Sequence, residues 1–120
     1  MTNSPLQVFE QFKESMLAHS DAWINLIAED VLLVAPLAQI NDKAGFIAVN
    51  KPFFASIRNY TVHHIIESGD LVITRVSIEV EMPSKNKITL EVSEWYTIKN
   101  NLIQSLHVYF DTQQFSQEMS

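Results

Sequence analysis

The sequence predicts an α+β domain in which helices come first and an antiparallel meander follows, with the helices covering one face of the sheet. Three observations carry this. Apolar residues recur at three- and four-residue spacing through the first half of the chain, up to Phe53. From Tyr60 onward the period switches to two. Turn residues then fall at Ser68-Gly69-Asp70, Pro83 to Lys87 and Lys99-Asn100-Asn101, dividing the second half into strands. The 120 residues are the length of one domain with one core of moderate size, so residues 1–120 are read as a single unit.

Ser4-Pro5-Leu6-Gln7 reads as a helix start, with Ser4 as N-cap, Pro5 at the first helical position and Gln7 closing a capping box. Leu6, Phe9, Phe12 and Met16 then form one apolar stripe. A second helix is expected from Asp21 to Glu29, capped by Ser20 and turning Trp23, Ile24 and Ile27 inward. Val31 to Val34 is a short apolar strand ended by Ala35-Pro36, since proline cannot donate to a ladder. Asn41 or Asp42 caps a third helix with Phe46, Val49 and Phe53 on one side, which Pro52 should kink or split. Four strands follow at 60–67, 71–82, 88–98 and 102–111.

Register can be read from agreement of the apolar faces. Pairing Ile98 with Leu102 sets Glu94 against Leu106 and Tyr96 against Gln104. Pairing Met82 with Ile88 sets Val76 against Glu94 and Thr74 against Tyr96. Both keep Val72, Thr74, Val76, Ile78, Val80, Leu90, Val92, Glu94 and Tyr96 on one inner face. For the first hairpin, a bulged turn places Tyr60, Val62, His64 and Ile66 inside, whereas a two-residue turn places His63 there. The row containing His64 is the more apolar and is the one expected inside.

A carboxylate inside an apolar row needs partners, because burying an unpaired charge is expensive. Glu94, Tyr96, Thr74 and Gln104 therefore mark a pocket of mostly apolar lining with a few placed polar groups, to which His64, Leu106 and Trp23 add ligand contacts. A desolvated Glu94 has the raised pKa of a general acid or base. The structural alternative is that Glu94 only hydrogen-bonds its neighbours and closes the end of the fold. Asp111, at the end of the last strand, is a second candidate catalytic carboxylate, at the pocket rim or as a turn cap. On the opposite face, Trp95, Ile103, His107 and Tyr109 form an aromatic-rich patch of the kind that builds interfaces, which predicts a homodimer.

Composition removes several function classes. Hydrophobic residues make up 47% and charged ones 18%, with a net charge of −6, which argues against nucleic acid or an anionic membrane as partner. No apolar run approaches the roughly 20 residues that span a bilayer. The N-terminus has no basic region followed by an apolar one, so the default location is cytoplasmic. With no cysteine there is no thiol nucleophile or thiolate metal site. Adjacent His63 and His64 cannot share an ion on a strand, and no other metal spacing is present. Two glycines leave no room for a phosphate loop, and no cofactor is expected.

The order of elements resembles the nuclear-transport-factor-2-like (NTF2-like) superfamily, with its SnoaL-like polyketide cyclases and ketosteroid isomerase-like enzymes. The residues that carry the resemblance are Trp23 to Val31, Ala35-Pro36, the helix from Gly45-Phe46 to Phe53-Phe54, Ser68 to Val72, and Leu102 to Asp111. It implies a cystatin-like cone in which four long strands and a short one curve around a helix-lidded cavity, usually in a dimer. The isomerase's general-base Asp falls at Ala35, and its oxyanion tyrosine in the first helix meets only Phe9 and Phe12. Its protonated oxyanion-side acid falls about where Glu94 stands. The epoxide hydrolases of the superfamily use an Asp-Arg-Asp arrangement, and Arg75 lies on the face away from the pocket. The resemblance implies a SnoaL-like protein that binds a small apolar carbonyl compound. It is expected to act as an isomerase, cyclase or hydrolase through Glu94, with Tyr96 and His64 orienting the substrate. The alternative is a non-catalytic ligand-binding or dimerising scaffold module.

Overall fold

A computed structural model describes residues 3–113 and 116–117. Helix α1 (Pro5–Leu17) is followed by a 3-10 helix (Asp21–Leu26), strands β1 (Ile27–Ala35) and β2 (Ala38–Ile40), and helix α2 (Lys43–Ser56). Four long strands follow: β3 (Ile57–Ser68), β4 (Leu71–Glu81), β5 (Lys87–Lys99) and β6 (Leu102–Phe110). One six-stranded sheet has the order β2-β1-β6-β5-β4-β3. The meander is antiparallel as expected, but β1 runs parallel to β6, so the sheet is mixed. Helices on the concave side of an unclosed sheet make this an α+β cone.

The capping box forms as read. Ser4 Oγ accepts from the Gln7 amide at 3.1 Å and the Gln7 side chain accepts from the Ser4 amide at 2.8 Å. Val8, Phe9, Phe12 and Met16 face the core. The Glu67 carboxylate on β3 accepts from the Leu6 amide at 2.9 Å, an anion at a helix N-terminus, and this ties α1 to the sheet edge.

The expected helix over 21–29 is a 3-10 helix that stops at Leu26. Strand β1 begins earlier than Val31, at Ile27, because Ile27 pairs with Ile103. A register shift then lets Glu29 and Asp30 bulge into solvent before Leu32 pairs with Ser105. Helix α2 runs through Pro52 without a break. The proline removes one backbone donor, yet Phe46 on one side of it and Phe54 on the other are both buried, so tertiary packing holds the two halves in line. Asp42 caps this helix, its carboxylate accepting from the Gly45 amide at 2.7 Å. A Cβ at Gly45 would lie 2.5 Å from Ile40 Cγ2, so glycine lets the first turn of α2 sit against β2.

The turns determine which residues meet. Asn100 and Asn101 both have positive φ, 56° and 64°, and form a two-residue hairpin loop with Lys99 opposite Leu102. One bulge then inserts Gln104, so that Thr97 pairs with Ser105, Tyr96 with Leu106 and Glu94 with Val108. Between β4 and β5, Val80 pairs with Ile88 and Thr74 with Glu94. The β4–β5 pairing is therefore offset by two residues from the expected one, and the β5–β6 pairing by one at the turn and by two beyond the bulge. A shift of two leaves each side chain on its face, which is why the inner row survives unchanged.

The first hairpin departs further. Gly69-Asp70 is a two-residue turn, with Ser68 opposite Leu71 and Gly69 at φ +58°. A bulge at His63 then restores Tyr60 and Val62 to the inner row, opposite Ile78 and Val76. His64 falls opposite Arg75 on the outer face, and its Nδ1 accepts from Arg75 Nε at 3.2 Å. His63 hydrogen-bonds Ser77, also outside, at 2.6 Å. Neither histidine enters the cone.

Between helices and sheet lies an aromatic cluster. The rings of Trp23 and Phe54 are 5.0 Å apart, those of Phe9 and Tyr96 5.1 Å, and Phe12 meets Trp23, Phe54 and Tyr96 at 5.8–6.2 Å. Four of the five Phe12 and Trp23 contacts are edge-on, the favoured geometry for such pairs, and Trp23 meets Phe46 at a tilt.

Candidate active site

Beside this cluster the cone holds a partly open cavity of about 240 Å³. Phe12 and Met16 of α1, with Asn50, Phe53 and Phe54 of α2, form its helical wall. The sheet supplies Leu33 and Ala35 from β1, Leu90, Val92, Glu94 and Tyr96 from β5, and Leu106, Val108 and Phe110 from β6. Glu94 is its one acidic side chain, and no Lys, Arg or His is among the lining residues.

Glu94 sits in the middle of β5, where alternation turns it into the cone. Its Oε1 accepts from the Tyr60 hydroxyl at 2.5 Å and from the Thr74 hydroxyl at 2.9 Å. Thr74 is its direct neighbour across the ladder, while Tyr60 reaches it from β3, two strands away. The Tyr96 hydroxyl also favours the charged form of this carboxyl. Burial pushes the Glu94 carboxyl above its ordinary range, and the three hydroxyls oppose that rise without cancelling it. Tyr60 and Tyr96 are both pushed well above the usual phenol range, chiefly by burial and then by neighbouring charge, so they stay neutral donors. A carboxyl in a dry site, with a raised pKa and fixed hydroxyl partners, is equipped to give or take one proton.

The structure places the other expected residues as follows. Tyr96 and Leu106 line the cavity. Thr74 stands behind Glu94 and orients it. Trp23 is one layer back, against Phe12 and Phe54, which do line the cavity. Gln104 does not reach it, because the bulge turns its amide to the Lys99 carbonyl at 3.1 Å. His64 is on the outer face. Asp111 is exposed and accepts from the Gln113 amide at 2.9 Å, a turn cap and not a rim residue. Ile103, expected outside, is buried opposite Ile98, because the same bulge reverses the facing of that end of β6.

Two polar residues of the site, Tyr60 and Asn50, were not among those expected from the sequence. Tyr60 was in the inner row, but its partnership with Glu94 depends on the reach of a long side chain across β4. Asn50 is buried four residues after Phe46 and four before Phe54, on the core side of α2, and that spacing was its signal. Its Nδ2 donates to the Phe46 carbonyl at 3.0 Å. Among the described residues no group of three His, Asp or Glu side chains is arranged to hold a metal ion. No helix among them is long and apolar enough to cross a membrane.

A model of the SnoaL-like domain matches residues 9–106. The chain belongs to the SnoaL-like family. Solved structures share the fold at low identity. An NTF2-like protein of unknown function from Burkholderia pseudomallei K96243 is 15% identical, with a TM-score of 0.84 and 99% of each chain covered. A protein from Jannaschia sp. CCS1, named as a SnoaL-like polyketide cyclase, is 11% identical, with a TM-score of 0.80 over 100% of this chain and 97% of its own. TerC, crystallised with polyporic acid, is 16% identical, with a TM-score of 0.81 over 96% of this chain and 97% of its own. No curated protein matches the sequence. At these identities the SnoaL-like likeness fixes the architecture, and the site must be argued from its own residues.

Proposed function

We propose that this SnoaL-like protein binds a small, mainly apolar molecule in the cone and moves a proton on it with Glu94, as an isomerase or cyclase. The observation that carries this is a buried carboxyl, held by Tyr60 and Thr74, facing an apolar cavity. A cavity of about 150 Å³ holds benzene, and pockets for drug-sized ligands begin at about 300 Å³. At about 240 Å³ the cone suits one or two rings. A single carboxyl that removes a proton at one position and returns it at another suffices for a proton shift, and it fits better than hydrolysis, for which no second acid lines the cavity. The cyclase name of one structural neighbour and the co-crystallisation of TerC with polyporic acid support the same reading.

The test is solvent deuterium. One- and two-ring compounds that bind are incubated in D2O and followed by NMR. Wild type should place deuterium in a bound compound faster than buffer, and Glu94→Gln, which keeps an acceptor for Tyr60 and Thr74, should fall to the buffer rate while still binding. Binding without any wild-type exchange would favour the non-catalytic reading.

A second reading concerns assembly. Trp95 and Tyr109 remain 41% and 54% exposed on the outer face, beside half-buried His107, and we propose that a second copy covers them in a homodimer. Trp95→Asp should then halve the mass seen by light scattering and leave the cavity intact. An unchanged mass would show that face to be plain surface.

A further inference from the structure

The polar capacity that the cavity has left to offer is weighted toward acceptors. Thr74 and Tyr60 direct their hydroxyls to Glu94 Oε1. Asn50 commits one Nδ2 hydrogen to the Phe46 carbonyl, which leaves Oδ1 as an acceptor beside one further amide hydrogen. A carboxylate has about four acceptor sites, so the two hydroxyls leave Glu94 further capacity to accept. A ligand headgroup that brings hydrogens meets most of what is left.

Charge points the same way. Glu94 is the one carboxylic acid in the lining, no basic side chain lies there to pair with it, and no ion pair among the described residues involves it. Rings of Phe12, Phe53, Phe54 and Tyr96 share the wall, and aromatic faces attract a desolvated cation. The chain carries a net charge of −6, which draws cations toward it. An anionic ligand would meet the carboxyl with nothing to balance it.

We infer that the cone is a site for a small lipophilic amine, whose ammonium donates to Glu94 and to Asn50 Oδ1 while its ring packs among the phenylalanines. An ammonium has three donors and no acceptor, and Glu94 and Asn50 both line the cavity it would enter. This rests on the cavity being a ligand site and does not depend on the proton transfer proposed above.

Calorimetry at pH 7 with benzylamine, benzyl alcohol, benzoate and toluene tests it. Benzylamine should bind at least tenfold more tightly than benzyl alcohol, with benzoate the weakest. Glu94→Gln should erase that preference and leave toluene binding unchanged. Asn50→Leu, which keeps the carboxyl, should weaken benzylamine severalfold without weakening toluene, and it serves if Glu94→Gln does not fold. Benzyl alcohol or benzoate binding as tightly as benzylamine would overturn the amine assignment and leave the cavity as a ligand site. A preference that survives both substitutions would place the amine elsewhere and overturn it too. If none of the four binds, toluene included, the ligand-site reading falls with it.

Discussion

Phe12→Ala is expected to lower the free energy of unfolding by about 3–5 kcal/mol, the usual range for truncating a buried phenylalanine. Phe12 is buried from α1 between the other layers and meets Trp23, Phe54 and Tyr96 edge-on. Each such pair adds about 0.5–1.5 kcal/mol beyond the area it buries. The ring also lines the cavity, so its loss enlarges a void that already exists, and the site has little means of collapsing onto it. Urea denaturation followed by circular dichroism reads the effect as a lower midpoint at an unchanged slope. A loss below about 1 kcal/mol would mean that the helices close over the gap, and that the cone is held by the sheet alone.

The second large effect is a dependence of stability on pH that Glu94→Gln should abolish. The folded-state pKa of Glu94 lies above its ordinary value of 4.5. Between the unfolded and the folded pKa, the native state therefore holds a proton that the unfolded state has released. Stability from this group is complete below the unfolded pKa and declines as pH rises to the folded pKa. Above that it is level, the decline being at most about 1.4 kcal/mol per pH unit. Glutamine does not titrate and preserves the shape and the acceptor. The difference in unfolding free energy between Glu94→Gln and wild type should therefore climb in favour of the variant across that window. A constant difference from pH 4 to 8 would show that Glu94 is hydrated.

Much of this architecture was legible in the sequence, for identifiable reasons. The period change at Tyr60 and the stripe of Leu6, Phe9, Phe12 and Met16 are local patterns that the fold simply obeys. The inner face was legible because parity is robust: Glu94, Tyr96 and Thr74 stayed on it although their pairings were offset by two. What parity cannot absorb is an odd insertion. The bulge at Gln104 removed that residue from the site and buried Ile103, and the bulge at His63 sent both histidines outside. A bulge of one residue carries little signal in composition when no glycine marks it. Pro52 illustrates the opposite failure, in which a strong local signal was overridden by Phe46 and Phe54 packing on either side. Tyr60 was the residue hardest to foresee, since its bond to Glu94 spans 34 positions and two strands. Strand order gives neighbours, but the reach of a phenol across an intervening strand appears only in three dimensions.

Glu94 is a desolvated carboxyl held by neutral hydroxyls at a cavity wall. A pH titration of its side-chain carboxyl carbon by NMR, in protein labelled at glutamate, tests this most directly. The inflection should lie above 4.5, and Tyr60→Phe should move it higher still, because the Tyr60 hydroxyl favours the charged form. An inflection at or below 4.5 that ignores Tyr60→Phe would contradict the site as described.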